Sequence, residues 1–145
     1  MREIRSDERT TINALDVHEC LVLLRWENVG RLAYSTHGEA PFVVPVNFVM
    51  YEDDIFFRSA DGPKLDRIRE QPVSLQVDRL DQYRRIGWSV LVRGVAHETD
   101  PSELPDLEID TWAPGDLSHV VRIVTTAVSG RRLELVNGAD RRGYL

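Results

Sequence analysis

Short strands at close spacing, a single helix inserted midway and no βαβ alternation predict a mainly β fold, a small antiparallel barrel with a few short helices. The hydrophobic period carries the first of these observations. From Gly30, Leu32, Tyr34 and Thr36 alternate with Arg31, Ala33 and Ser35, the two-residue repeat of a half-buried strand. A chain of 145 residues with 42% hydrophobic content is enough for one domain, residues 1–145, with a core of its own.

Taken in order, a polar lead over residues 1–14 reads as flexible. Asp16 with Glu19 has capping-box spacing, and Cys20, Leu21 and Leu24 recur at helical intervals up to Trp26. After the strand from Gly30, His37-Gly38-Glu39 turns the chain into Phe42 to Tyr51, a hairpin. Glu52-Asp53-Asp54 makes a second turn into Ile55 to Ser59. Pro63 opens a helix that stops before Pro72. Val73 to Arg79 and Trp88 to His97 are two more strands, rich in valine. Pro101 to Asp116, with three prolines and many acids, reads as a helical turn and a solvated loop; His119 to Thr126 and Ala127 to Leu135 supply the last β segments.

Charge narrows the function. A formal charge of −6 and a pI near 5.2 argue against nucleic acid as a partner, because phosphate contacts need a clustered positive surface. The longest apolar run, Phe42 to Met50, is interrupted by Pro45 and Asn47, and MREIRSDERT is too charged for a signal peptide, so the expectation is a cytoplasmic protein with no membrane association. The lone Cys20 reads as a small buried hydrophobe. His18, His37, His97 and His119 lack metal-ligand spacing, so no metal is expected, and no GxSxG elbow, GxGxxG fingerprint or Walker loop occurs.

Of the eighteen cationic side chains seventeen are arginine, and the sole lysine, Lys64, stands in RSADGPKLDRIRE. Strand, turn and helix start make an anion cradle in which Arg58, Ser59 and Lys64 converge on a phosphate, with helix N–H groups beside them. The same segment also reads as an ordinary strand-to-helix turn with solvated charges. Two charge-assisted contacts, each worth about 1.5–3 kcal/mol, offset the desolvation of a dianion. Arg58 suits a bidentate role and Lys64 a point charge. Two further segments offer walls for a planar ligand. Pro45 in PFVVPVNFVMY implies an edge or bulge that leaves Val46 and Asn47 open to a heterocycle's polar edge. In GWSVLVRG, Trp88 flanks a ring and Ser89 bonds it, or Trp88 is a core residue.

Taken together, GRLAYSTHGEAPFVVPVNFVMY, IFFRSADGPKLDRIREQPVSLQVDR and GWSVLVRGVAHE, with VVRI and SGRRL beyond them, resemble the pyridoxamine 5'-phosphate oxidase-like FMN-binding split-barrel family, and within it the short, nitroimidazole-resistance-like members. The resemblance implies a six-stranded antiparallel split β-barrel, a homodimer with the cofactor cleft between protomers, and FMN as cofactor; some relatives use the deazaflavin F420 in its place. It implies that Arg58, Ser59 and Lys64 hold the FMN phosphate, that Val46 and Asn47 approach the isoalloxazine edge, and that Trp88 and Ser89 line the site. The closing GADRRGYL has no counterpart of the segment that closes over substrate in the vitamin B6 oxidases, nor of the C-terminal ligands of haem-degrading relatives, so neither activity is expected. The function so implied is an FMN-dependent oxidoreductase passing electrons from a reduced nicotinamide or similar donor to a small aromatic acceptor or oxygen. An F420-dependent reductase, a non-enzymatic flavin- or haem-binding carrier or sensor, and a cofactor-free scaffold are the alternatives.

Overall fold

Seven antiparallel strands and two helices make up the computed structural model, which describes residues 10–135. The strands are β1 (Thr10–Leu15), β2 (Val29–Tyr34), β3 (Phe42–Tyr51), β4 (Asp54–Ser59), β5 (Pro72–Asp81), β6 (Ile86–Thr99) and β7 (His119–Leu135); the helices are α1 (Val17–Arg25) and α2 (Pro63–Ile68). Sheet order is β1-β7-β4-β3-β2-β5-β6, and β6 also pairs with β7, so six strands close into a barrel and β1 lies outside it. The mainly β, six-stranded barrel expected from the sequence is the observed fold. No helix among the described residues is long and apolar enough to cross a membrane.

Alternation builds the core. Gly30, Leu32 and Tyr34 of β2 are buried while Arg31 is exposed, and Val73, Leu75 and Val77 of β5 meet Val90 and Val92 of β6 inside. Phe48, Ile55, Phe57 and Ile123 fill the centre, and Leu65 and Ile68 of α2 join the same cluster. Asp16 caps α1 in a full capping box, its Oδ1 accepting from Glu19 N–H at 2.8 Å, as the spacing predicts. Cys20 and Leu24 are the buried face of α1; burial raises the Cys20 thiol pKa, in keeping with a structural residue.

The β3–β4 hairpin turns on Glu52 and Asp53, with φ of 49° and 67°, a conformation that matches the twist of the flanking strands. Asp54 belongs to β4; its carboxylate accepts from Arg122 at 2.6 and 2.8 Å and from the Thr125 N–H at 2.9 Å, tying the hairpin to β7.

Two expectations change. The lead read as flexible over residues 1–14 contains β1, which pairs with β7 from Thr10↔Leu135 to Leu15↔Gly130 at the end of the sheet, with Ile12, Asn13 and Ala14 exposed. Residues 1–9 lie outside the described residues, as does GADRRGYL, on which the expectation about a substrate-closing segment rests. The last β material is one strand of 17 residues, not two. A bulge opposite Arg93 and Gly94 places Thr126 out of register and bends β7. Gly94 is required at that point, because a Cβ there would lie 2.2 Å from the Val124 carbonyl oxygen.

Candidate functional site

Pairing between β3 and β4 stops at Phe48↔Phe57. The first half of β3, Phe42 to Asn47, therefore pairs only with β2, and β4 diverges from it toward β7. This is the split in the barrel, and Pro45 sits on its free edge, where a missing N–H costs no ladder bond. The split opens as a cleft of about 370 Å³ lined by Pro45, Val46 and Asn47 on one side and Arg58 and Lys64 on the other. Val29 completes the β wall; Thr111, Trp112, Ala113 and Leu117 cross the mouth.

Four of the seven residues singled out in the sequence thus meet in one cleft: Val46, Asn47, Arg58 and Lys64. Electrostatics set the two cations apart. Neither Arg58 nor Lys64 has a carboxylate partner among the described residues, although acids outnumber bases in this chain. The Lys64 Nζ lies 6.0 Å from the Phe57 ring centroid, and burial holds its pKa below the ordinary lysine value. An ammonium in that state is stabilised by an incoming anion. The helix contributes less than the sequence implied. At six residues α2 has a small dipole, and Gly62 caps it without a side-chain hydrogen bond, so the positive charge of the cleft resides in side chains.

The other three residues do not reach the cleft wall. Ser59 is 1% exposed and its hydroxyl donates to the Ala60 carbonyl at 2.9 Å, bracing the turn. Trp88 belongs to the core cluster. Ser89 is on the outer face of β6, opposite Asp78 and Arg131. The signal was available in the strand period. Trp88 is in phase with the buried Val90 and Val92 and Ser89 with Leu91, so the two point to opposite faces of β6; Ser59 is likewise in phase with the buried Phe57 and Ile55. Asn47 is also more committed than an open edge residue. Its Nδ2 donates to the Asn28 carbonyl at 3.3 Å and its Oδ1 accepts the Trp112 N–H at 2.9 Å.

Residues 111–117 are the part of the site that reading Pro101 to Asp116 as solvated loop missed. The available signal was Trp112, a large aromatic in a run of acids and prolines.

A second polar group lies across the turn of residues 60–62. His119 places Nδ1 2.5 Å from Glu98 and Nε2 2.7 Å from Asp61; Glu98 also accepts from Arg69 at 2.7 Å, and Arg69 from its other side meets Asp66 at 3.3 Å. With a carboxylate at each ring nitrogen the imidazolium is favoured, and the hydrogen bond to Glu98 raises the His119 pKa. Glu98 is correspondingly lowered, by the His119 and Arg69 hydrogen bonds. Nearby, His97 Nδ1 meets Glu70 at 2.8 Å. Sequence separation hid these pairs: His97 and His119 looked isolated, and closure of the barrel supplies their partners.

Comparison with known proteins gives consistent results. The family model for pyridoxamine 5'-phosphate oxidase matches residues 16–132. Rv0080, an uncharacterized protein of Mycobacterium tuberculosis, is 30% identical over 128 residues, covering 82% of this chain and 84% of its own. A structure described as the FAD binding protein from Mycobacterium smegmatis superposes with a TM-score of 0.66 at 29% identity, over 84% of this chain and 98% of that one. A second, an FAD-binding protein from Mesorhizobium loti, has a TM-score of 0.68 at 33% identity, over 83% and 97%.

Proposed function

Because this chain belongs to the pyridoxamine 5'-phosphate oxidase family, we propose that its split cleft binds a flavin and that the loaded protein is an FMN-dependent oxidoreductase. One observation carries the reading: Lys64, its pKa lowered by burial, shares a cleft with Arg58, and neither has a counter-ion among the described residues. Such a pair fits a dianionic phosphate and has no evident structural purpose. Arg58 would take the phosphate as a planar fork and Lys64 as a point charge, while Val46 lines the wall for the ring. The bound flavin supplies the redox chemistry, exchanging electrons between a reduced nicotinamide or similar donor and a small aromatic acceptor or oxygen. The chain's own residues bind and orient it and limit its contact with water.

The relatives described as FAD-binding support a flavin and leave the nucleotide tail open. FMN, FAD and F420 all present phosphate to this cleft. A homodimer with the cleft between protomers accompanies this reading: β3 and β6 stand three strands apart around the six-stranded barrel, so Ser89 on the outside of β6 would meet only a ring held by the partner protomer, and the outer surface of β3 would form part of the contact. The exposed Val43, beside Pro45 on that surface, gives such a contact apolar area.

The test is an absorption spectrum of the purified protein followed by titration with FMN, FAD and F420, with light scattering for assembly. Saturable FMN binding by a dimer is expected. Binding of F420 alone would replace the flavin with the deazaflavin, and binding of none would overturn the reading. Loaded protein that oxidises no reduced nicotinamide or F420 with nitroaromatic or quinone acceptors is a carrier or sensor, not an enzyme.

A further inference from the structure

The chain leaving β6 passes over the split before it enters β7. Beyond the 3-10 turn Pro101–Glu103 it forms no helix or strand, yet Leu104, Pro105, Asp106, Leu107 and Ile109 line a cavity together with Arg58, and Trp112 reaches the cleft mouth. The crossing is pinned by the bond from the Trp112 N–H to Asn47 Oδ1, and Asn47 is fixed in turn on β3 by Asn28. The backbone of Trp112 is therefore held while its indole is not. The residue is 67% exposed, although it lines a cleft that also offers Val29, Pro45, Val46, Ala113 and Leu117 as apolar neighbours. A tryptophan serving only to pack would bury that ring.

We propose that Trp112 is an aromatic platform for the planar ring of the cleft's ligand, and that Asn47 positions it. Cations on one wall and an indole at the mouth select a phosphorylated aromatic heterocycle over a phosphate compound without a ring. The inference rests on the flavin reading of the cleft and adds to it the residue that recognises the ring. Asn47 acts through Trp112: its amide is spent on holding the crossing segment, not on the heterocycle edge.

Stacking of a planar heterocycle on an aromatic side chain changes affinity by between about 5-fold and 150-fold. The experiment titrates FMN into wild type, Trp112→Leu and Trp112→Phe, following Kd and the emission of bound flavin, with ribose 5-phosphate as a competitor that has no aromatic ring. Trp112→Leu is expected to weaken FMN at least about fivefold. Trp112→Phe should keep most of the affinity, and ribose 5-phosphate should bind all three proteins equally. Bound-flavin emission, quenched by a stacked indole, should rise in both variants. FMN affinity and emission unchanged in Trp112→Phe and Trp112→Leu would overturn the platform while leaving flavin binding intact. A wild type that binds no flavin would remove the underlying reading as well. If Trp112→Leu does not fold, the emission of Trp112→Phe decides the matter alone.

Discussion

Two groups of cations flank the turn of residues 60–62, and the fold treats them in opposite ways. On one side Arg69 and His119 are fully paired with Glu98, Asp61 and Asp66. On the other, Arg58 and Lys64 face a cleft that no carboxylate lines among the described residues. The difference separates structure from function. The paired group closes the turn onto β6 and β7, and through Asp61 it fixes the approach to Pro63 and Lys64. The unpaired group carries an electrostatic cost in the free protein that a bound anion relieves.

The largest effect expected is on ligand binding. Arg58→Ala combined with Lys64→Ala should abolish measurable FMN affinity, and Lys64→Ala alone should weaken it by about 1–3 kcal/mol, the cost of a charged hydrogen-bond partner. Titration of the folded variants measures both; an unchanged Kd in the double variant would contradict the phosphate role. Stability should respond differently. Lys64→Met removes a charge from a desolvated position without a partner, so the thermal midpoint of the ligand-free protein should stay level or rise. A clear fall would mean that Lys64 belongs with the structural group.

Next comes a pH effect confined to the paired side. The His119 pKa is raised above its ordinary 6.5, so its contribution to stability is complete below that pH and is lost as pH climbs through the raised value. Glu98 is lowered from 4.5, so its contribution is complete above that pH and is lost as acid titrates through the lowered value. The cluster is therefore at full strength between about 4.5 and 6.5. His119→Ala should lower the thermal midpoint most in that window and converge with wild type in alkali; a penalty independent of pH would sink the assignment of a charged imidazole. The smallest effect belongs to Arg69→Ala. Both of its carboxylate contacts are exposed, so a slight fall in midpoint with unaltered FMN affinity is expected, read in the same pair of assays.

Most of the fold was legible in the sequence because its signals are local. The capping box at Asp16, the turn at Glu52-Asp53 and the alternation through β2, β5 and β6 each depend on neighbours within a few positions. Lys64 and Arg58 were legible for the same reason, since one strand end and one helix start hold both. Trp88 and Ser59 were assigned to the site against their own strand phase, and the structure follows the phase. Asn47 was read as open because its two partners, Asn28 and Trp112, lie 19 and 65 residues away.

By itself the sequence determined an antiparallel barrel, the two cations that meet in the cleft and the family to which the chain belongs. Only tertiary structure decided where the barrel splits, which segment crosses the split, and which carboxylates face His119. Those outcomes depend on strand register, on the bulge at Arg93 and Gly94, and on closure of β6 against β7. Each sums contacts between residues far apart in the chain, and a local period carries no information about them.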